Sequence, residues 1–555
     1  MRRLLVLATA VALCAGPLIG AQAAGAAVVE QAAVTAQING SGSSWAQVAI
    51  VQWITDVTAR NLQVAYTGTG SAQGRTDFRN STTDFAVSDI GFQGFDRSND
   101  TNDTNCTDPN HRATCRPYVY LPMVAGGTSF PYQIRVGGQL VQNLRLSGKT
   151  LAEIFTNKIT NWDDPAITRD NNGRKLPSLQ ITPVVHSEGS GSTAQFTSYL
   201  DAEFPSLWRP FAGGPGMTEY FPRQGRQIAE NGSDGIINFV TSASGNGAIG
   251  YDEYAYALGQ SCAGCVKGWP VAQLENSAGY FTAPTQYNVA VALTKAEINM
   301  NKSSAGYLLE KLNKVYTNPD KRTYPLSSYS YMIIPTSAHD ARMSTAKRQT
   351  LADFIDWSIC GGQAEMGPIG YSPLPINLAQ ASFQQMYKLH NADHHVQISQ
   401  LNIATECHNP TFWAGHPSGN YLAQIAPEPP ACAKAGNGPC VAGTGVGPTG
   451  NPGKNGKPPA STSGSTSPTA SPSSSSSASA STPSGGTSAG TVAIGGSTGG
   501  SGTGLPLTGS PTNLAASEGN SMGGLLAALA GFEVLLLLAL PPVIARRRQQ
   551  GRAGK

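Results

Sequence analysis

The 555-residue chain lacks a strong charge of either sign: 37 Lys and Arg stand against 34 Asp and Glu, and only 13% of residues are charged. The formal net charge of +3 gives no electrostatic argument for nucleic acid, so we predict no nucleic-acid partner. The sequence also lacks a cluster of metal-type ligands and a recognisable activated nucleophile. We therefore predict that the protein is not an enzyme such as a phosphatase, and that it uses no cofactor or metal.

The C-terminal part lacks large apolar residues between 436 and 504, where Gly, Pro, Ser, Thr and Ala dominate. Such a segment cannot bury enough surface to fold, so it is predicted to be a disordered spacer. The pentapeptide 505–509, LPLTG, resembles the sorting signal that sortases of Gram-positive bacteria read. The apolar run 522–545 is long enough to cross a bilayer, and the basic end 546–555 predicts a cytoplasmic tail. Wall attachment and a simple membrane anchor remain open alternatives.

The N-terminus predicts export. Residues 1–23 combine two arginines, an apolar stretch and small residues, as cleavable signal peptides do. Lipidation at Cys14 is disfavoured because the bulky Leu13 precedes it. The other eight cysteines favour disulfides, with a redox role for the CxxC pair as a weaker alternative. Pairing sequence neighbours gives Cys106–Cys115, Cys262–Cys265, Cys360–Cys407 and Cys432–Cys440.

Short strand-like and helical patterns alternate along the central part of the chain. This alternation predicts an α/β architecture. The patterns predict strands at 62–66, 181–185 and 331–334, and helices at 45–58 and 345–357.

Three glycine-rich stretches, 40–45, 68–72 and 189–193, stand where a strand should give way to a helix. The first turn of a helix has unpaired amides and a partial positive charge, and glycine lets a ligand approach that backbone. A single such stretch is more often a plain helix cap, but three together indicate an anion site. None has the third glycine of a dinucleotide loop, and Ser190 lacks the frame of a nucleophile elbow. Binding without chemistry is the simpler interpretation.

Six motifs occur in order between residues 38 and 390: INGSGSSW (38–45), YTGTGS (66–71), DFAVSD (84–89), NKITNWDD (157–164), VVHSEGSGSTAQFTSYL (184–200) and NGAIGYDEYAYA (246–257). With these motifs the chain resembles the phosphate-binding proteins of Pst-type high-affinity phosphate ABC transporters. The resemblance implies phosphate as ligand, the transporter membrane subunits as partners, and a monomer.

The resemblance also implies a two-lobed periplasmic-binding-protein fold of type II, with a double hinge crossing. Lobe one would comprise 36–128 plus 328–426, and lobe two 129–327. Phosphate would then lie in the cleft between them, so that closure completes the site.

Carried over by motif, the residues implied to contact phosphate are Ser44, Trp45, Ser71, Asp89, His186, Ser190, Gly191 and Ser192. The serines would supply hydroxyls and the loops backbone amides. Asp89 is informative, because a carboxylate beside an anion is repulsive unless the ligand carries a proton to donate. Phosphate carries one near neutral pH and sulfate does not. Asp89 as a plain helix cap is the alternative.

The sequence departs from the family at His186, where an arginine is usual. A histidine with an ordinary pKa of about 6.5 is partly neutral at pH 7, so we expect weaker or pH-dependent binding. We hypothesise that Arg75 supplies the missing charge. His186 and the long spacer also leave a second reading open, a wall- or membrane-anchored adhesin or structural protein with weak or no phosphate binding. A zinc site at His390, His394 and His395 is less expected than ordinary surface histidines.

Overall fold

The computed structural model describes residues 35–93 and 115–440, except for 264, 266, 401, 417 and 418. The predicted signal peptide, sorting motif, apolar span and basic tail lie outside these residues. Contacts divide the chain into two units, Met1–Pro458 and Pro459–Lys555, and every described residue belongs to the first. None of the helices among the described residues is long and apolar enough to span a membrane.

The strands alternate with helices along the chain. Their bounds within the described residues are β1 (Ile38–Gly42), β2 (Val64–Thr67), β3 (Phe85–Ser88), β4 (Tyr118–Ser129), β5 (Arg135–Val136), β6 (Gln139–Leu140), β7 (Arg145–Leu146), β8 (Thr182–His186), β9 (Ile228–Glu230), β10 (Ala248–Gly250), β11 (Asp252–Glu253), β12 (Gln273–Glu275), β13 (Phe281–Thr282), β14 (Glu297–Ile298), β15 (Glu310–Lys311) and β16 (Ser327–Pro335).

The helices begin mostly at polar or glycine residues, as helix N-termini usually do. Their bounds within the described residues are α1 (Gln47–Thr58), α2 (Ser71–Arg79), α3 (Gly148–Phe155), α4 (Pro165–Asp170), α5 (Gly191–Glu203), α6 (Pro205–Ala212), α7 (Gly232–Thr241), α8 (Tyr254–Leu258), α9 (Gln286–Leu293), α10 (Asn313–Tyr316), α11 (Thr345–Ile359), α12 (Met366–Ile369), α13 (Ile376–Ala392), α14 (Ile403–Glu406) and α15 (Tyr421–Ile425), with 3₁₀ turns at Ala243–Gly245, Gly361–Glu365 and Ala431–Ala433.

A six-stranded sheet in the order β11-β4-β16-β3-β1-β2 carries the first and second glycine loops at its strand ends. β1 pairs in parallel with both β2 and β3, while β16 runs antiparallel to β3 and β4. Every residue of β16 is buried, which explains its apolar and small-residue sequence. The last residues of the first three strands therefore lie together at one edge of the sheet.

A three-stranded parallel sheet in the order β10-β8-β9 carries the third glycine loop after β8. Helix α5 begins directly beyond that loop, and its N-cap Ser190 accepts a hydrogen bond from Thr193 N. The short strand β11 joins the six-stranded sheet beside Ser129 of β4. It follows β10 by a single residue, so the two sheets are linked there by continuous backbone.

The predicted α/β class is confirmed, and each predicted strand and helix overlaps an observed one. The predicted strand 331–334 lies inside β16, and the predicted helices correspond to α1 and α11. A large apolar core joins both sheets, with Trp53, Trp162 and Trp208 fully buried. The lobe boundaries stay a prediction.

Three predicted disulfides are present: Cys262–Cys265, Cys360–Cys407 and Cys432–Cys440. Cys115 is disulfide-bonded, and its predicted partner, Cys106, lies outside the described residues. The Cys432–Cys440 segment packs on the fold, because the Asn143 side chain donates to the Cys440 carbonyl at 2.6 Å. The described structure therefore extends four residues past 436, the predicted start of the spacer.

Candidate functional site

Asp89 lies at the centre of the site, directly after β3, and it is 2% exposed. Ser43 donates to its two carboxylate oxygens at 2.8 and 2.9 Å. Ser330 of β16 donates to Oδ1 at 2.8 Å, and Ser71, at the start of α2, donates to Oδ2 at 3.1 Å. The loop after β1, the start of α2 and the interior of β16 thus direct hydroxyl groups at a single carboxylate.

The charge of Asp89 is set by opposing effects. Burial raises the pKa of Asp89, while the hydrogen bonds from Ser43, Ser330 and Ser71, and the nearby positive charge of Arg75, lower it. The pKa of Asp89 is raised overall, because desolvation of the charged form outweighs the stabilisation that the hydroxyl groups and Arg75 provide.

The third glycine loop approaches Asp89 closely at Gly191, the first residue of α5. A Cβ atom built on Gly191 would lie 2.2 Å from Asp89 Oδ2 and 2.5 Å from Ser71 Oγ. Ala72 N also donates to the Gly189 carbonyl at 3.0 Å. The N-terminus of a 13-residue helix therefore meets a carboxylate from the other sheet, a contact that only glycine permits.

The remaining residues of the third loop are also buried. Ser190 is 2% exposed and caps α5, and Ser192 is 2% exposed in the first turn of the same helix. Gln195, one turn further on, donates to the Asp89 carbonyl at 2.8 Å. Helix α5 is thereby held against the loop that carries Asp89.

Ser44 and Trp45 connect the first glycine loop to helix α7. Ser44 Oγ accepts hydrogen bonds from Ser233 N at 3.2 Å and from Ser233 Oγ at 2.9 Å. Because both bonds use Ser44 as acceptor, its own hydroxyl hydrogen remains to be donated. Trp45 is 2% exposed and packs edge-on against Tyr371 at 5.7 Å between ring centroids. The Trp45 side chain is therefore part of the buried hydrophobic core.

His186 ends β8 and is bound to Glu188, with 2.7 Å between Nδ1 and Oε1. Its other ring nitrogen, Nε2, is buried and has no hydrogen-bond partner in the described part of the chain. Burial lowers the pKa of His186, but the hydrogen bond and charge of Glu188 and the charge of Asp252 outweigh burial and raise the pKa above its ordinary value of 6.5. The carboxylate neighbours therefore favour the charged imidazolium more than an ordinary, solvent-exposed histidine would.

The Arg75 guanidinium is paired with a buried carboxylate of the protein itself. Its guanidinium lies 2.7 Å from both Glu219 oxygens, with both side chains 0% exposed, and it donates to Ser88 Oγ at 2.8 Å. The hypothesis that Arg75 replaces the family arginine is weakened, because Glu219 compensates its charge. The pair instead joins α2 to the segment after α6.

The structure brings together Ser44, Ser71, Asp89, Ser190, Gly191 and Ser192, and it places His186 at the end of the adjacent sheet. Sequence reasoning missed Ser43, Ser330, Gln195 and Ser233. Ser43 lies inside the first glycine motif, so the motif itself was a signal. The other three come from distant parts of the sequence, where no local pattern marks them.

The described residues contain no group of three or more His, Cys, Asp or Glu side chains placed to hold a metal ion. Of the three histidines considered for zinc, His390 Nδ1 lies 2.8 Å from the Val396 carbonyl and His395 Nδ1 lies 3.0 Å from Asp393 Oδ1.

The chain is similar to proteins of a known family. A family model described as a PBP superfamily domain matches residues 27–361, which is more than half of the chain. The chain belongs to the PBP superfamily. The predicted two-lobed, type II architecture is confirmed by this membership.

Individual relatives of this PBP superfamily member carry one name. A phosphate-binding protein PstS from Methanocaldococcus jannaschii is 29% identical over 62% of this chain and 84% of its own length. The Xylella fastidiosa PstS is 29% identical over 62% and 83%. The Mycobacterium tuberculosis PstS 2 is 28% identical over 61% and 83%. The resemblance to phosphate-binding proteins is confirmed, and the adhesin alternative gains no support from these relatives.

A solved high-affinity periplasmic phosphate-binding protein, determined with bound phosphate, has a TM-score of 0.48 and 21% identity over 66% of this chain and 100% of its own.

Proposed function

We propose that this PBP superfamily protein binds inorganic phosphate between the Asp89 loop and the N-terminus of α5, and delivers it to the membrane subunits of a phosphate ABC transporter. The names of its relatives support phosphate as the ligand. The first two glycine loops lie on the six-stranded sheet and the third lies on the three-stranded sheet, and this division supports a site that closure completes.

One observation carries the proposal: a buried carboxylate faces a helix N-terminus, with 2.2 Å between Asp89 Oδ2 and a Cβ position on Gly191. Helix N-termini attract anions through their unpaired amides and partial positive charge. A carboxylate in the same place repels a fully ionised anion, but it accepts a hydrogen bond from one that keeps a proton. The combination favours phosphate over sulfate.

The predicted ligands then have distinct tasks. Ser44 has a hydroxyl hydrogen left to donate, as its acceptor role is taken by Ser233. Gly191 and Ser192 supply first-turn amides of α5, and Ser71, whose hydroxyl is donated to Asp89, supplies its amide at the start of α2. His186 presents its buried Nε2 from the end of β8. Each supplies a donor to phosphate.

We also propose that the protein acts as a monomer on the outer face of the cell. The signal peptide would export it, and the segment after Cys440 would tether it through the apolar run 522–545 or, after cleavage at 505–509, through the cell wall. A tether of this kind would keep the phosphate site near its transporter.

Isothermal titration calorimetry of the purified chain with phosphate and with sulfate tests the function. We expect heat of binding with phosphate alone, and its loss in Asp89→Ala. The control is Asp163→Ala, which removes an exposed aspartate far along the sequence from every predicted ligand. Equal binding of both anions, or full phosphate binding by Asp89→Ala, contradicts the proposal.

A further inference from the structure

Asp252 is a buried carboxyl group that the predicted phosphate ligands leave unexplained. It is 0% exposed, and its Oδ2 has no hydrogen-bond partner in the described part of the chain. Its Oδ1 accepts a hydrogen bond from Glu253 N at 2.7 Å. A buried carboxylate oxygen without a donor is costly, so its presence calls for a role.

Asp252 follows the strand that pairs with β8. Strands β8 and β10 run in parallel with Val184 opposite Gly250. His186, two residues after Val184, ends β8, and Asp252, two residues after Gly250, begins β11, so both lie at the same end of the paired strands. The charges of His186 and Asp252 interact, since each shifts the pKa of the other group in the direction that favours its charged form.

Asp252 is also connected to the first glycine loop. Helix α7 packs against β11, and its Ser233 hydroxyl donates to Ser44 Oγ at 2.9 Å. On its other side, Asp252 pairs with Ser129 at the edge of the six-stranded sheet. It thus lies where the two sheets and two predicted phosphate ligands, Ser44 and His186, come together.

Few cations offset the carboxyl groups here. His186 faces Glu188, Asp252 and Tyr251. The titratable groups that act on Asp252 or feel its charge are His186 on β8, Asp234 on α7, Glu253 on β11, and the hydroxyls of Tyr251, Tyr256 and Tyr371. An incoming anion would meet one imidazolium among several carboxyls.

We propose that Asp252 is a positioning residue that acts through His186, so that Asp252 takes up a proton when phosphate binds. Solvent supplies the proton, which is held on Asp252 Oδ2. Neutral Asp252 leaves the imidazolium charge free to attract phosphate, whereas ionised Asp252 compensates that charge and repels the anion. This inference rests on the proposed phosphate function.

The expected pH window follows from the burial of Asp252. Burial raises its pKa to about 7, while the charge of His186 opposes the rise. Below that pH the free site already has a neutral Asp252. Above it, binding must be accompanied by proton uptake, which weakens affinity by up to about tenfold per pH unit.

The test is phosphate affinity of the full chain between pH 6 and 8 in wild type and Asp252→Asn. Phosphate itself loses a proton in this range, and the variant reports that contribution together with every other one except that of Asp252. From pH 7 to 8 wild type should lose up to about tenfold more affinity than the variant. Calorimetry in two buffers of different ionisation enthalpy should show greater proton uptake by wild type.

Glu253→Gln is the matched control. Glu253 is adjacent and 0% exposed, and neither of its carboxyl oxygens has a hydrogen-bond partner within the described ranges. Burial raises the pKa of Glu253 well above its ordinary value and so favours its neutral form, and its variant should keep the wild-type pH profile. Asp252→Ser gives a second neutral side chain should the asparagine prevent folding.

Parallel pH profiles and equal proton uptake in wild type and the folded Asp252 variants would overturn the inference while leaving phosphate binding intact. Absence of phosphate binding by wild type at every pH would overturn the proposed function, and this inference with it.

Discussion

Replacing Gly191 by alanine should weaken phosphate binding without unfolding the protein. The added Cβ would lie 2.2 Å from Asp89 Oδ2, 2.5 Å from Ser71 Oγ and 2.7 Å from Asp89 Cβ. Overpacking of this kind typically costs about 1–3 kcal/mol, and we expect the cost to fall on the closed form, in which α5 lies against the Asp89 loop. At 1.4 kcal/mol per factor of ten, phosphate affinity should fall by about 5- to 150-fold.

Calorimetry measures the affinity, and thermal unfolding without phosphate measures the fold. Alanine is at least as favourable as glycine in a helix, so the melting temperature of Gly191→Ala should not fall by a comparable amount. Gly214→Ala is the control, because within the described ranges no atom beyond its chain neighbours lies within 4 Å of its Cβ position. Wild-type phosphate affinity in Gly191→Ala would refute the reasoning that closure brings α5 onto Asp89.

Three further changes probe the buried charges and the disulfide framework. Arg75→Met should cost about 3–5 kcal/mol in urea unfolding, because it deprives buried Glu219 of its 2.7 Å partner, and the double variant with Glu219→Met should recover most of that loss; an equally unstable double variant would contradict this. Asp252→Asn should be more stable than wild type at pH 8. The pKa of Asp252 is about 7 in the folded protein and about 3.9 in the unfolded chain. Ionisation of Asp252 therefore destabilises folded wild type by up to about 4 kcal/mol above pH 7 and not at all below pH 4. Thermal unfolding of both proteins at pH 8 and pH 4 measures this difference. Replacing Cys360 and Cys407 by alanine should lower the free energy of unfolding by about 4 kcal/mol, because the disulfide spans 47 positions; an unchanged urea midpoint would show that the bond adds no stability.

Local sequence patterns predicted the parts of this fold that depend on local rules. The strand within β16 and the helices α1 and α11 follow from apolar periodicity, and three disulfides join cysteines that are neighbours along the chain. The glycine loops were recognisable because a close backbone approach requires glycine. At Gly191, for example, a Cβ atom would lie 2.2 Å from Asp89 Oδ2.

The parts that escaped prediction depend on long-range contacts. Ser330 reaches Asp89 across 241 positions and Ser233 reaches Ser44 across 189, distances at which single-sequence patterns carry no information. The state of His186 also depended on tertiary structure, since Glu188 and Asp252 set its pKa. Arg75 was assigned from helical spacing alone, without knowledge that Glu219 would lie beside it.

A crystal structure of the protein grown with phosphate tests the central claim most directly. We expect one tetrahedral anion within hydrogen-bond distance of an Asp89 carboxylate oxygen, Ser71 Oγ and the first amides of α5. Tetrahedral density elsewhere, or none at a phosphate concentration that saturates binding in calorimetry, would contradict the account.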